Sequence, residues 1–185
     1  MRKSKKQAFI IIGIGAILIL ILAIALFAPR VDYYIYKNSN AGIQLKYPSN
    51  WKMQEHLETG ALVVFVSPLD NALDIYPDNV NITIQDISKN PLNLEEYARL
   101  AVDQLIAVFG NEQIRDLETT PTRLAHLPAR KIVYIAKTQE ADLKIMHVLA
   151  LDGMTAYQFT YSGLSATFDQ YCPRVNTMLA SLEIK

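Results

Sequence analysis

Hydrophobic and polar positions divide this chain into one long apolar run and a series of short alternating segments. Ala8 to Ala28 is 21 residues without a charged or strongly polar side chain. As a helix it would measure roughly 31 Å, the thickness of a bilayer's hydrocarbon core. The pattern predicts a transmembrane helix over 8–28, with Ala8, Phe9, Ile10, Leu18, Leu22 and Phe27 among the side chains that meet lipid. Beyond Arg30 the period changes to two. Val31–Lys37 is β-prone, Asn38–Gly42 is a turn cluster, and Ile43–Tyr47 alternates as a half-buried strand does. Ala61–Val66 is apolar throughout, as for a strand covered on both faces. Ser67–Asn79 is a long polar loop, and Val80–Asp86 alternates again.

The period then lengthens to that of a helix. Leu94, Tyr97, Ala98, Ala101, Leu105 and Val108 share one face of a helix over Leu94–Phe109. Asn93 is placed to cap it, with Glu96 at the capping-box spacing, and Gly110-Asn111 ends it. Strands follow around Gln113–Glu118 and over Ala129–Lys137, Asp142–Leu151 and Thr155–Tyr161, with Asp152-Gly153 as a hairpin signal. In the last of these Tyr157, Phe159 and Tyr161 alternate with Ala156, Gln158 and Thr160. A closing helix spans Ser165–Leu179 on Phe168, Tyr171, Cys172, Val175, Met178 and Leu179. Pro173 should kink it or split off its first part. Ser181–Ile184 forms a short last strand.

Short connections make the sheet mainly antiparallel. One helix on each face would cover the Ala61–Val66 run. The expected fold is therefore α+β: an N-terminal transmembrane helix followed by an α/β/α sandwich around a mainly antiparallel sheet. The expected organisation is a basic head at 1–7, an anchor at 8–28 and an outer domain at 29–185.

Charge sets the orientation. Arg2, Lys3, Lys5 and Lys6 precede the apolar run, so the N-terminus stays cytoplasmic and the domain lies outside the cell membrane, which the chain crosses once. The formal net charge of zero hides this division: 14 basic and 18 acidic residues lie beyond the head, a net charge of −4. Such a surface, with no basic run beyond residue 30, argues against nucleic acid. Cys172 is the only cysteine, so no internal disulfide forms and no lipoprotein anchor is available near the apolar run. Ala23-Ile24-Ala25 offers a signal-peptidase pattern, but the run is longer than a cleavable signal's core and continues past it.

Candidate chemistry is sparse. Asp70, Asp74 and Asp78 lie four apart in the polar loop and offer an oxygen-rich site for Ca²⁺ or Mn²⁺, though without the EF-hand spacing. His56, His126 and His147 have no second ligand at zinc-site spacing and read as packed or surface histidines. Cys172 reads as a small buried hydrophobe and Trp51 as a core plug. Asn81-Ile82-Thr83 is an N-glycosylation sequon on the exported side. No G-x-S-x-G elbow, P-loop or dinucleotide fingerprint occurs in the outer domain.

The landmarks together resemble the PsbP family, named after an extrinsic subunit at the oxygen-evolving side of photosystem II. An aromatic-rich start (Tyr33, Tyr34, Tyr36) leads through Gly42-Ile43 to Tyr47-Pro48-Ser49-Asn50-Trp51. Val64–Pro68, Asn79–Ile82, Pro128-Ala129, Tyr157–Tyr161 and Ser181–Ile184 follow in order. The resemblance implies an α/β/α sandwich and a non-enzymatic role in binding, stabilising or assembling membrane complexes. The apolar run and the lack of a transit peptide are closer to anchored prokaryotic relatives. The expected function is thus a membrane-anchored extracytoplasmic accessory domain that contacts a membrane-protein complex. The alternative is a small-molecule or metal-ion carrier with a pocket between sheet and helix.

Overall fold

The computed structural model describes residues 31–55, 60–69, 71 and 74–185. The apolar run at 8–28 lies outside them. Among the described residues, no helix is long and apolar enough to cross a membrane. Asp32–Lys185 forms one compact unit.

Among the described residues ten strands and two α-helices follow one another. β1 (Tyr33–Asn38), β2 (Ile43–Pro48), β3 (Lys52–Glu55), β4 (Val63–Val66) and β5 (Asn79–Asp86) come first, then helix α1 (Leu94–Phe109). A 3-10 turn leads into β6 (Ile114–Leu124), β7 (Leu127–Lys137), β8 (Asp142–Asp152) and β9 (Thr155–Leu164). Helix α2 (Phe168–Ala180) and β10 (Glu183–Ile184) close the chain. All strand pairs are antiparallel. They form two sheets: a seven-stranded one ordered β3-β4-β5-β9-β8-β7-β6, and a three-stranded one ordered β1-β2-β10.

Strand alternation assigns the two helices to opposite faces of the large sheet. Met146, Val148 and Ala150 of β8, with Phe159 and Tyr161 of β9, pack with Phe168, Tyr171, Val175 and Met178 of α2. The three-stranded sheet adds Tyr36, Ile43, Leu45 and Ile184 to the same core. On the other face Ala98 of α1 packs with Ile132, Tyr134, Ala136, Ile145 and Leu149. Trp51 plugs the first core, 4% exposed, its ring 6.0 Å from that of Tyr171. The α1 capping box forms as expected: Glu96 N donates to Asn93 Oδ1 at 3.0 Å, and Asn93 N to Glu96 Oε2 at 2.9 Å.

Three expectations are corrected. Ala61–Val66 is not covered on both faces. Val63 and Phe65 are fully buried, but Val64 and Val66 point to the α1 side, where α1 does not reach β4, and are only half-buried. Pro173 does not split off the first part of α2, which is continuous over Phe168–Ala180 with the proline inside it. Val108 belongs to the apolar face read from the sequence yet is 77% exposed, because the last turns of α1 pack through Leu105 and Phe109, and Val108 falls at the edge of that stripe. The second sheet and strand β3 were not anticipated.

Two glycines are set by close approach. At Gly42 (φ +68°) a Cβ would lie 2.5 Å from the Lys185 carbonyl oxygen, and Lys185 N donates to Gly42 O at 3.0 Å. The chain end is thereby tied to the β1–β2 turn. At Gly163 of β9 a Cβ would lie 2.1 Å from Asp78 Oδ1.

Candidate functional site

Helix α1 rests chiefly on β7 and β8, and the same face of the large sheet continues over β9 and β5, where Gln158, Thr83, Asn81 and Asn79 are half-buried and Thr160 and Ser162 are buried. Gln158, Thr160 and Ser162 of β9 stand beside Thr83, Asn81 and Asn79 of β5, in register across the ladder. None of these side chains is charged. The half-buried amides and hydroxyl of Gln158, Asn81, Asn79 and Thr83 offer donors and acceptors without a charge, which favours uncharged partners.

One side chain organises the floor of this face. His147 of β8 faces the α1 side with Ile145 and Leu149, as its phase in the sequence indicates. Its Nδ1 lies 3.0 Å from both Thr160 Oγ1 and Gln158 Nε2, and Gln158 Nε2 lies 3.0 Å from Thr160 Oγ1. On its other side Nε2 is 3.3 Å from the Tyr134 hydroxyl, and the two rings stack at 5.7 Å. With the Gln158 amide donating to it, Nδ1 accepts, so Nε2 carries the proton and donates to Tyr134. Burial pushes the His147 pKa down to about 4 and that of the Tyr134 phenol well up. Both are neutral near pH 7.

Two recesses open along the flank of α1 above this floor. One, about 230 Å³, is walled by Leu105, Val108 and Phe109 with Leu149, His147 and Gln158 beneath. The other, about 270 Å³, reaches Gln85, Asp86 and Tyr97. They share Ala101, Gln104 and Gln158, so they form one trough. At its far end the Tyr97 hydroxyl donates to Gln85 Oε1 at 3.3 Å, and burial raises the Tyr97 pKa.

The polar loop enters the fold from the opposite end of that sheet face. Asp78 is 2% exposed, and the Tyr161 hydroxyl sits 2.6 Å from its Oδ1 and 2.8 Å from the Phe168 carbonyl oxygen. One phenol thus joins the loop, β9 and the start of α2. Burial, with the Asp78 carboxylate second, pushes the Tyr161 pKa far up. Tyr76 reaches over the face, its hydroxyl 3.2 Å from Ser162 Oγ, and Asn79 Nδ2 donates to the same hydroxyl at 3.4 Å.

Of the three aspartates proposed to hold Ca²⁺ or Mn²⁺, Asp74 accepts from Tyr76 N at 3.2 Å and Asp78 is tied to Tyr161, whereas Asp70 lies outside the described residues. Among the described residues no three His, Cys, Asp or Glu side chains converge as metal ligands do. His126 is exposed in the β6–β7 turn, and His56 lies outside the described residues. Cys172 is half-buried on α2, its pKa raised by burial and by Asp169. Asn81 of the sequon stands mid-strand on that sheet face, half-buried between Val64 and Thr160. The anchor residues Ala8, Phe9, Ile10, Leu18, Leu22 and Phe27 also lie outside the described residues. The sequence reading missed Gln158, Thr160 and Tyr134 as site residues. The available signal was the polar half of the β9 alternation, Gln158 and Thr160 opposite the aromatic face.

A search of curated proteins gives no match. The fold is similar to the solution structure of cyanobacterial PsbP (CyanoP) from Synechocystis sp. PCC 6803, with a TM-score of 0.63 at 13% identity, covering 86% of this chain and 96% of that one. It is also similar to LpqN, a protein involved in cell envelope biogenesis of Mycobacterium tuberculosis, with a TM-score of 0.57 at 10% identity, covering 85% of this chain and 92% of that one. The sequence model of the PsbP family matches residues 31–184, which is nearly all of the folded unit. The chain therefore belongs to the PsbP family.

Proposed function

We propose that this chain is a membrane-anchored, extracytoplasmic accessory domain that acts by binding, not by catalysis, and that it stabilises or helps assemble a membrane-protein complex. The observation that carries the reading is the family match across residues 31–184, joined in one chain to a 21-residue apolar run behind a basic head. A tether of that kind raises the effective concentration of the domain near membrane partners, so a modest contact suffices for association. The fold's likeness to LpqN, a protein of cell envelope biogenesis, supports an envelope setting. The neutral, half-buried amides and hydroxyl of Gln158, Asn81, Asn79 and Thr83 beside α1 are groups the domain offers to a partner without charge steering.

Affinity purification of the full-length protein in mild detergent, followed by mass spectrometry, tests the reading. One membrane complex recovered in stoichiometric amount is the expected result. A clean, partnerless protein overturns the accessory role.

A further inference from the structure

The geometry points to a ligand site in the recess between the α1 flank and the β8–β9 floor, built for a neutral aromatic ring compound that presents one N–H or O–H donor to Gln158. The site goes beyond the accessory role, since it requires neither a tether nor a protein partner.

Size comes first. The recess holds about 230 Å³. An apolar cavity of about 150 Å³ accepts benzene, so this one has room for a substituted ring or a fused pair. Its walls are Ala101, Leu105, Val108 and Phe109 of α1 with Leu149 of β8, which suits the faces and edges of an aromatic ring. Val108 and Leu105 remain partly exposed although they lie on the apolar face of the helix, and a seated ring would cover them.

The floor supplies the selectivity. His147 Nδ1 and Thr160 Oγ1 lie 3.0 Å from Gln158 Nε2 and from each other, so one N–H of the amide is shared between them and the amide is fixed in orientation. Oε1 makes no hydrogen bond among the described residues and is the acceptor the amide has to offer a ligand of the recess. His147 is held from both sides, by Thr160 and by Tyr134, so the floor is fixed before any ligand arrives. No lining residue carries a charge near pH 7, and an ionised ligand would lose hydration there without a counter-charge.

The test is an NMR titration of the full chain with indole, a fused ring with one N–H donor, and with 1-methylindole, which lacks the donor. Indole should shift the Leu105, Val108 and Leu149 methyl signals and the Gln158 side-chain amide. 1-Methylindole should bind about tenfold more weakly, the worth of one neutral hydrogen bond to a sheltered acceptor. Gln158→Leu should bring indole down to the affinity of 1-methylindole. Ala101→Phe, whose ring occupies the part shared by both recesses, should abolish binding of both. Should that variant fail to fold, the pair of compounds on the unmodified chain still decides. The absence of shifts at these residues at millimolar indole overturns the site. Equal affinity for the two compounds overturns the role of Gln158.

Discussion

Gly163 has no side chain because a buried carboxylate occupies the space where one would be. With a Cβ at 2.1 Å from Asp78 Oδ1, Gly163→Ala must drive the loop carboxylate off the Tyr161 hydroxyl. The expected cost is about 2–4 kcal/mol, the range for disrupting a buried polar contact. Urea unfolding checks it, and an unchanged midpoint would show that Asp78 does not hold that position. His147 makes a second prediction at this scale, through pH. Its folded pKa of about 4 lies below the 6.5 of an unfolded histidine. Between those values the unfolded chain binds more protons than the folded one, so stability rises with pH across the window. It is fully present above pH 6.5 and is lost as pH falls toward 4, by an amount on the order of 2–3 kcal/mol. His147→Gln, which cannot titrate, should flatten that part of the profile; a slope identical to that of the unmodified chain would remove His147 as its source.

At the scale of elements, α1 is held by its cap and by one face. Ala98 is its only fully buried residue among those described, so packing contributes less than for α2, which buries Phe168, Tyr171, Val175 and Met178. Loss of the Asn93 cap should therefore be felt: Asn93→Ala is expected to cost about 1 kcal/mol. It should also speed amide exchange in the first turns of α1 more than in α2. Equal exchange in the two helices would mean that sheet contacts, not the cap, hold α1. This division also explains what the sequence made legible. Helices announce themselves by local caps and a 3.6-residue period, and α1 was readable to its exact bounds for that reason. β3 (KMQE) has no apolar alternation because it is a four-residue edge strand, exposed along most of its length. β6 extends past Glu118 to Leu124 because it only has to pair with β7, and an edge strand exposed along its length carries no alternating pattern. The three-stranded sheet depends on β10 meeting β2 from the far end of the chain, a pairing no local pattern encodes. The site is non-local in the same way. Thr83 meets Gln158 only through the β5–β9 register, and the His147 network spans three strands. The resemblance to PsbP proteins was legible because turn and aromatic landmarks keep their order in the sequence, whereas the trough beside α1 depends on what that helix leaves uncovered.

For the molecule as a whole, the separation between head and folded unit makes the last prediction. Asp32–Lys185 contains both hydrophobic cores, both sheets and both α-helices seen among the described residues. The residues described in both cores all lie within that unit, so a chain beginning at Asp32 should fold with the melting temperature of the full-length protein. The two should differ in address. The full chain, with its 21 apolar residues, should stay in the membrane fraction through an alkaline carbonate wash, as a spanning helix does. The shortened chain keeps 13 basic and 18 acidic residues, a net charge of −5, and has no apolar run, so it should remain in the soluble fraction. Release of the full chain by carbonate would refute the anchor. A mature protein whose mass corresponds to a start near Leu26 would refute it as well, by showing that the apolar run is removed. Sedimentation of the shortened chain with membranes would locate membrane affinity in the folded unit itself, and would turn attention to Tyr34 and Ile35, which stand 59% and 61% exposed on β1 at the start of that unit.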